Sequence, residues 1–187
     1  MAIQFARAEY VSRSGGGDAC RKSAYNSGSE IMNERTGEVF NFKDKRDGTF
    51  HGILLPEYVD PKFKNASVFA NSVEAAENRK NSQLFREYVI ALPDDPEVTP
   101  ETRMEALYAF IEEKGFVKEG LGVQVDVHEP HEGEKNRHAH LLVTTRRFSK
   151  CGTRLGEKAR DLCMEVRGGT GYYAKYDVGE ENGKLWA

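Results

Sequence analysis

The sequence predicts an α+β fold: a central antiparallel or mixed β-sheet flanked by helices. Three observations carry this. Residues 122–128 and 138–145 alternate in side-chain character over strand-length runs and lie close in sequence, as a hairpin requires. Residues 66–78 and 99–116 place apolar side chains at helical spacing. Strand and helix signals are mixed along the chain, with no internal repeat and no low-complexity segment.

Taken in order, residues 2–10 predict a first strand. The stretch SRSGGGDACRKSAYNSG predicts a glycine turn, Asp18 as N-cap, and a short helix through about Ser27. Residues 37–55 read as two short strands around the polar turn KDKRDG. LPEYVDPKF is a loop, interrupted by two prolines. From Ala66 to Asn78, Val68, Phe69, Val73 and Ala76 mark a helix. REYVIALP is β-rich and ends at Pro93. Thr99 caps the next helix, Pro100 sits in its first turn, and Leu107, Phe110 and Ile111 lie along one face. The strands 122–128 and 138–145 follow. GEKARDLCMEVRGG predicts a last helix ended by glycines.

At 187 residues, 39% hydrophobic and 30% charged, the chain suits one globular domain over residues 1–187. Residues 166–187 are its least defined part, and the polar tail leaves open that this is the N-terminal domain of a longer protein. No run approaches the roughly 20 apolar residues of a membrane span, and MAIQFARAEY lacks a signal peptide's basic start and apolar core. No membrane insertion is therefore expected. Cys20, Cys151 and Cys163 lie far apart, which argues against a disulfide framework and a cysteine zinc site. Reduced cysteines in a cytoplasmic protein are the expectation. The net charge of −3 hides an asymmetry: residues 94–134 hold twelve acids and three bases, and residues 135–175 hold ten bases and three acids. The second region could face a polyanion.

The strand pair carries the candidate chemistry. Side chains alternate faces along a strand. Val123, Val125 and Val127 then share a face with Ala139, Leu141 and Val143, and can take a helix layer. The opposite face carries Gln124, Asp126 and His128 on one strand, and His138, His140, Leu142 and Thr144 on the other. In a hairpin, His128 and His138 lie opposite each other and His140 is the diagonal neighbour. Converging neutral imidazoles make a divalent metal site with open positions. His131, in the loop, is the alternative third ligand. His51 is expected to be structural or exposed.

The motif His138-Ala139-His140 resembles the HUH motif of single-strand DNA endonucleases. The whole chain is similar to the relaxase domain of the MobA/MobL family, including the TraA-like conjugative relaxases. The resemblance rests on MAIQFARAEYVSRSGGGDACRKSAYNSG with its AY-x-SG pattern, on VEAAENRKNSQLFREYVIALP, on VDVHEPHEGEKNRHAHLLVTTRRF and on GEKARDL. Two departures stand out: Phe69 where a tryptophan-containing helix is expected, and an unfamiliar stretch after residue 165.

That resemblance implies an HUH relaxase-like sheet with flanking helices. It implies a metal-dependent, strand- and site-specific endonuclease that nicks single-stranded DNA at a plasmid or mobile-element transfer origin. Tyr25 would be the nucleophile, joined to the 5′ phosphate, for conjugative transfer. The cofactor would be a divalent metal, Mg or Mn, with Zn able to occupy the site in a crystal. Glu87 is the first candidate for a carboxylate behind the histidines or a base, and Asp126 the second. Arg13, Arg21, Lys22, Arg146 and Arg147 are candidate phosphate contacts. The partners would be single-stranded DNA, accessory transfer proteins and a coupling protein. Two other readings stay open: a rolling-circle replication initiator using a tyrosine in residues 172–176 (Tyr172, Tyr173 or Tyr176), and a DNA-binding module without turnover.

Overall fold

The structure is a computed structural model. It describes residues 6–45, 48–95, 97–129 and 137–159, and the backbone of four short strands beyond them. Five strands build the central sheet: β1 (Ala6–Ser12), β4 (Gly48–Leu54), β5 (Gln83–Ala91), β6 (Val123–His128) and β7 (His138–Thr144). Their order is β1–β5–β7–β6–β4, and every neighbouring pair is antiparallel. The expected hairpin is therefore present, as β6 and β7 at the centre of the sheet.

Alternation sorts the two faces as the sequence predicts. Val123, Val125, Val127, Ala139, Leu141 and Val143 are buried against α3 (Pro100–Glu113), which contributes Leu107 and Ile111. Thr99 caps α3, accepting a hydrogen bond from the Thr102 N–H at 3.3 Å. The other face carries α1 (Ala19–Ser27) and α2 (Ala66–Ala76), with Ala19, Phe69, Val73, Phe85 and Leu142 in one cluster. Phe69 is fully buried and stacks on Phe85 at 5.8 Å, so it supplies the bulk that the expected tryptophan would have given. Gly122 is required there, because a Cβ would stand 2.6 Å from the Phe69 ring.

α1 is short and sharply bounded. The Asp18 carboxylate accepts from the Arg21 N–H at 2.9 Å and closes the N-terminus. Gly28, at φ 60°, takes the left-handed conformation that ends the helix. Two charged anchors hold the layer together. Glu74 of α2 accepts from the Ala19 N–H, Arg13 and Arg35. Glu77 accepts from Arg146 and Lys158.

The structure corrects three expectations. The strands around KDKRDG do not pair with each other: β3 (Val39–Asn41) pairs with β2 (Glu30–Met32), and β4 pairs with β6. The loop LPEYVDPKF contains a short 3-10 turn at Pro61–Lys64. The expected last helix is instead β9 (Leu155–Lys158), paired with β8 (Arg146–Phe148), followed by a strand at Cys163–Glu165. Glu, Lys, Ala and Arg favour a helix there locally, but ladder pairing and the reach of Lys158 to Glu77 override that preference. Residues 160–162 and 166–169 of that expected helix lie outside the described residues.

Candidate active site

The β6–β7 register sets the site. His128 pairs with His138, and Asp126 with His140. The three imidazoles converge, with ring centroids 4.9–5.3 Å apart and one nitrogen from each ring within 4.8 Å of the others. His128 is buried, and His138 and His140 are half-buried. The alternative ligand His131 lies outside the described residues.

Hydrogen bonds fix which nitrogen two of the rings offer. The Nδ1–H of His140 donates to Glu87 Oε1 at 2.7 Å, leaving Nε2 for a ligand. The Nε2–H of His128 donates to the Asn26 carbonyl at 2.6 Å, because a carbonyl can only accept; Nδ1 is the nitrogen left. Glu87 is fully buried, two residues along β5 from Val89, the cross-strand partner of His140. Burial pushes its carboxyl up, but the hydrogen bond from His140 and the Lys22 ammonium 2.8 Å from Oε2 outweigh it and hold it at about 2. Three imidazole nitrogens backed by an ionised carboxylate are a donor set that could hold a divalent metal.

α1 brings Tyr25 to this site. The Asn26 carbonyl that receives His128 belongs to the next residue. One turn earlier, Ser23 Oγ donates to Gln124 Oε1 at 2.6 Å, and Gln124 Nε2 donates back to the Ser23 carbonyl at 3.3 Å. Tyr25 itself is exposed, with its ring edge-on to Phe42 and the Lys45 ammonium 4.2 Å over its face.

The other candidates separate. Lys22 belongs to the site, through Glu87. Arg21 is exposed on α1. Arg13 is committed to Glu74 and the Glu77 carbonyl. Arg146 pairs with Glu77, and Arg147 with the carbonyl and carboxylate of Glu119. Both lie beyond the far end of β7 from His138, about 20 Å away at the usual strand rise. Tyr172 and Tyr173 belong to the strand Tyr172–Ala174, and Tyr176 lies outside the described residues.

Two further residues reach this site, one read from the sequence as structural or exposed and one that the sequence reading missed. His51, on β4, pairs with Asp126 and donates from Nδ1 to its buried carboxylate at 2.6 Å. The other Asp126 oxygen accepts from Gln124 at 2.7 Å, so a hydrogen-bonded chain runs from His51 to Ser23 of α1. The second is Lys45, whose Nζ also stands 3.5 Å from His128 Nδ1. Neither has a local signal, since each depends on β4 pairing with β6.

An all-antiparallel five-stranded sheet with helices on both faces, and three histidines gathered at one end of its inner strands β6 and β7, defines an α+β domain. The chain belongs to the MobA/MobL family, whose profile matches residues 18–186. A probable mobilization protein MobA of Bifidobacterium longum is 33% identical over 79% of this chain and 26% of its own length. Mobilization protein MobL of Acidithiobacillus ferridurans is 33% identical over 87% of this chain and 47% of its own. Conjugal transfer protein TraA of Agrobacterium fabrum is 28% identical over the whole chain and 17% of its own length. The chain thus spans less than half of these relatives. A solved structure from work headed "Molecular Basis of Vancomycin Resistance Transfer in Staphylococcus aureus" is similar over 94% of this chain and 82% of its own, with a TM-score of 0.74 and 32% identity. Among the described residues, no helix is long and apolar enough to cross a membrane.

Proposed function

We propose that this domain is a strand- and site-specific endonuclease that cuts single-stranded DNA at a transfer origin, by transesterification from Tyr25. The reading rests on one observation above all: the hydrogen bond from His128 to the Asn26 carbonyl, which joins the helix of Tyr25 to the histidine cluster. Tyr25 Oη attacks the scissile phosphorus. The new bond joins the tyrosine to the 5′ phosphate, the P–O3′ bond breaks, and the 3′ oxygen takes up a proton to leave as a hydroxyl.

His128, His138 and His140 would hold a divalent metal, which would supply Lewis-acid polarisation of a phosphate oxygen. Glu87 serves as a positioning residue: ionised at about 2, it is too weak a base for a phenol but keeps the His140 Nδ1–H engaged. Lys22 balances its charge. The exposed Tyr25 ring suits a nucleophile that must meet a polymer. Single-stranded DNA is the partner this site calls for; the relatives named as mobilization and conjugal transfer proteins support that choice.

The test is cleavage of a panel of single-stranded transfer-origin oligonucleotides in Mn²⁺, with the ends of the products analysed. Strand- and position-specific products with a free 3′ hydroxyl and a protein-blocked 5′ end, lost in Tyr25→Phe, are expected. Binding without cleavage, or full activity in Tyr25→Phe, would sink the proposal. Retained cleavage and metal uptake in a His138→Ala/His140→Ala double variant would refute the metal site.

A further inference from the structure

Lys45 sits between the two halves of the site. Its ammonium lies 4.2 Å from the centroid of the Tyr25 ring and 3.5 Å from His128 Nδ1. The lone pair at Nδ1 faces it, because Nε2 is committed to the Asn26 carbonyl. The backbone around it is tied to α1 as well. The Lys45 N–H donates to the Phe42 carbonyl at 3.0 Å, and Phe42 is the ring edge-on to Tyr25. The Lys45 carbonyl lies where a Cβ on Gly28 would come within 3.3 Å, so the turn is packed on the end of the Tyr25 helix.

We propose that Lys45 is a positioning residue that holds Tyr25 over the histidine cluster and presents positive charge to the incoming phosphate, at the cost of weakening metal binding at His128. The proposal rests on Tyr25 as nucleophile and the histidines as metal ligands. The physics gives its charge effects of opposite sign. A cation over an aromatic face is attracted to the ring, which confines an otherwise exposed side chain. The same charge favours a phosphate arriving beside it. A divalent cation at His128 is instead repelled by an ammonium one contact away, at a distance where Coulomb energies are large. The flexible four-carbon stem lets the ammonium draw back from His128 when a metal is bound there while remaining over the Tyr25 ring.

Opposite signs make the test sharp. Lys45→Met keeps the stem and removes the charge; Lys45→Arg keeps a cation that can lie over the ring. Two quantities are measured on the full chain: Mn²⁺ affinity by calorimetry, and the single-turnover rate of adduct formation on whichever oligonucleotide is cleaved in the panel above. Lys45→Met is expected to bind Mn²⁺ several-fold more tightly and to form adduct about tenfold or more slowly at saturating oligonucleotide, with KM changed much less. Lys45→Arg is expected to recover most of the rate. A merely structural role would lower both quantities together, with a loss of thermal stability, and that result overturns the proposal. So does a Lys45→Met protein with wild-type rate and wild-type Mn²⁺ affinity. If wild type forms no adduct, or Tyr25→Phe forms it fully, the nicking reading has failed instead. Unchanged or weaker Mn²⁺ binding in Lys45→Met then still overturns the present proposal.

Discussion

At the scale of single residues, the site is organised by what stands behind the ligands. An imidazole offers one lone pair when neutral, and its other nitrogen must be satisfied for that lone pair to have a fixed direction. Glu87 does this for His140 and the Asn26 carbonyl does it for His128. A carboxylate and a carbonyl achieve the same orientation by different routes, and only the carboxylate also adds negative charge. Glu87→Gln is therefore expected to weaken Mn²⁺ binding about 10- to 100-fold, the usual effect of removing such a partner. Calorimetry on the purified variant checks this; wild-type affinity would mean that Glu87 serves only to pair with Lys22.

At the scale of elements, α1 is the part that places Tyr25 beside the histidine cluster. It is nine residues long, too short to be stable alone, and it is held at its N-terminus by Asp18 and along its length by Ser23 against Gln124. Asp18 also accepts from the Asn33 side chain at 2.6 Å, so the cap ties the helix to the β2–β3 hairpin. Asp18→Ala is expected to destabilise the domain by about 1–2 kcal/mol, measured by denaturant unfolding, with the loss in midpoint and not in slope. An unchanged midpoint would show that α1 does not depend on its cap. Elements like this one were legible in the sequence because their signals are local. Asp18 and Thr99 announce helix starts, and the period-two alternation of VQVDVH and HAHLLVT assigns three histidines to one face. Lys45 and His51 were illegible, because their positions follow from β4 pairing with β6 some seventy residues later. Residues 156–158 were misread for the same reason: their local preference is helical, and the ladder with Arg146–Phe148 that overrides it is a tertiary event.

At the scale of the whole molecule, the sheet works as a partition. One face is aliphatic and covered by α3; the other holds the polar chemistry under α1 and α2. Buried carboxylates staple the polar side. Burial raises the Glu74 carboxyl, but the Ala19 N–H, Arg35 and Arg13 lower it more, so its net shift is downward from 4.5; Glu77 shifts the same way, with Lys158 and Arg146 outweighing burial. A depressed folded-state value means stability that is fully present above about 4.5 and is lost as the pH falls through the folded values. Tm is thus expected to fall steeply below pH 4.5, and the slope to be shallower in Glu74→Gln. An identical slope in the variant would remove Glu74 from the account. The partition also explains how a short helix can deliver Tyr25 to histidines more than a hundred residues later: α1 is bound to β6 through Gln124 and His128, and β6 is laddered to β7, which carries His138 and His140. That delivery is the central claim, and one measurement tests it most directly. The protein is incubated with a cleaved single-stranded oligonucleotide in Mn²⁺, the denaturant-resistant adduct is digested, and the modified residue is mapped by mass spectrometry. A 5′-phosphotyrosyl linkage at Tyr25 is the predicted result; a linkage at Tyr172, Tyr173 or Tyr176, or cleavage with no covalent linkage at all, would contradict it.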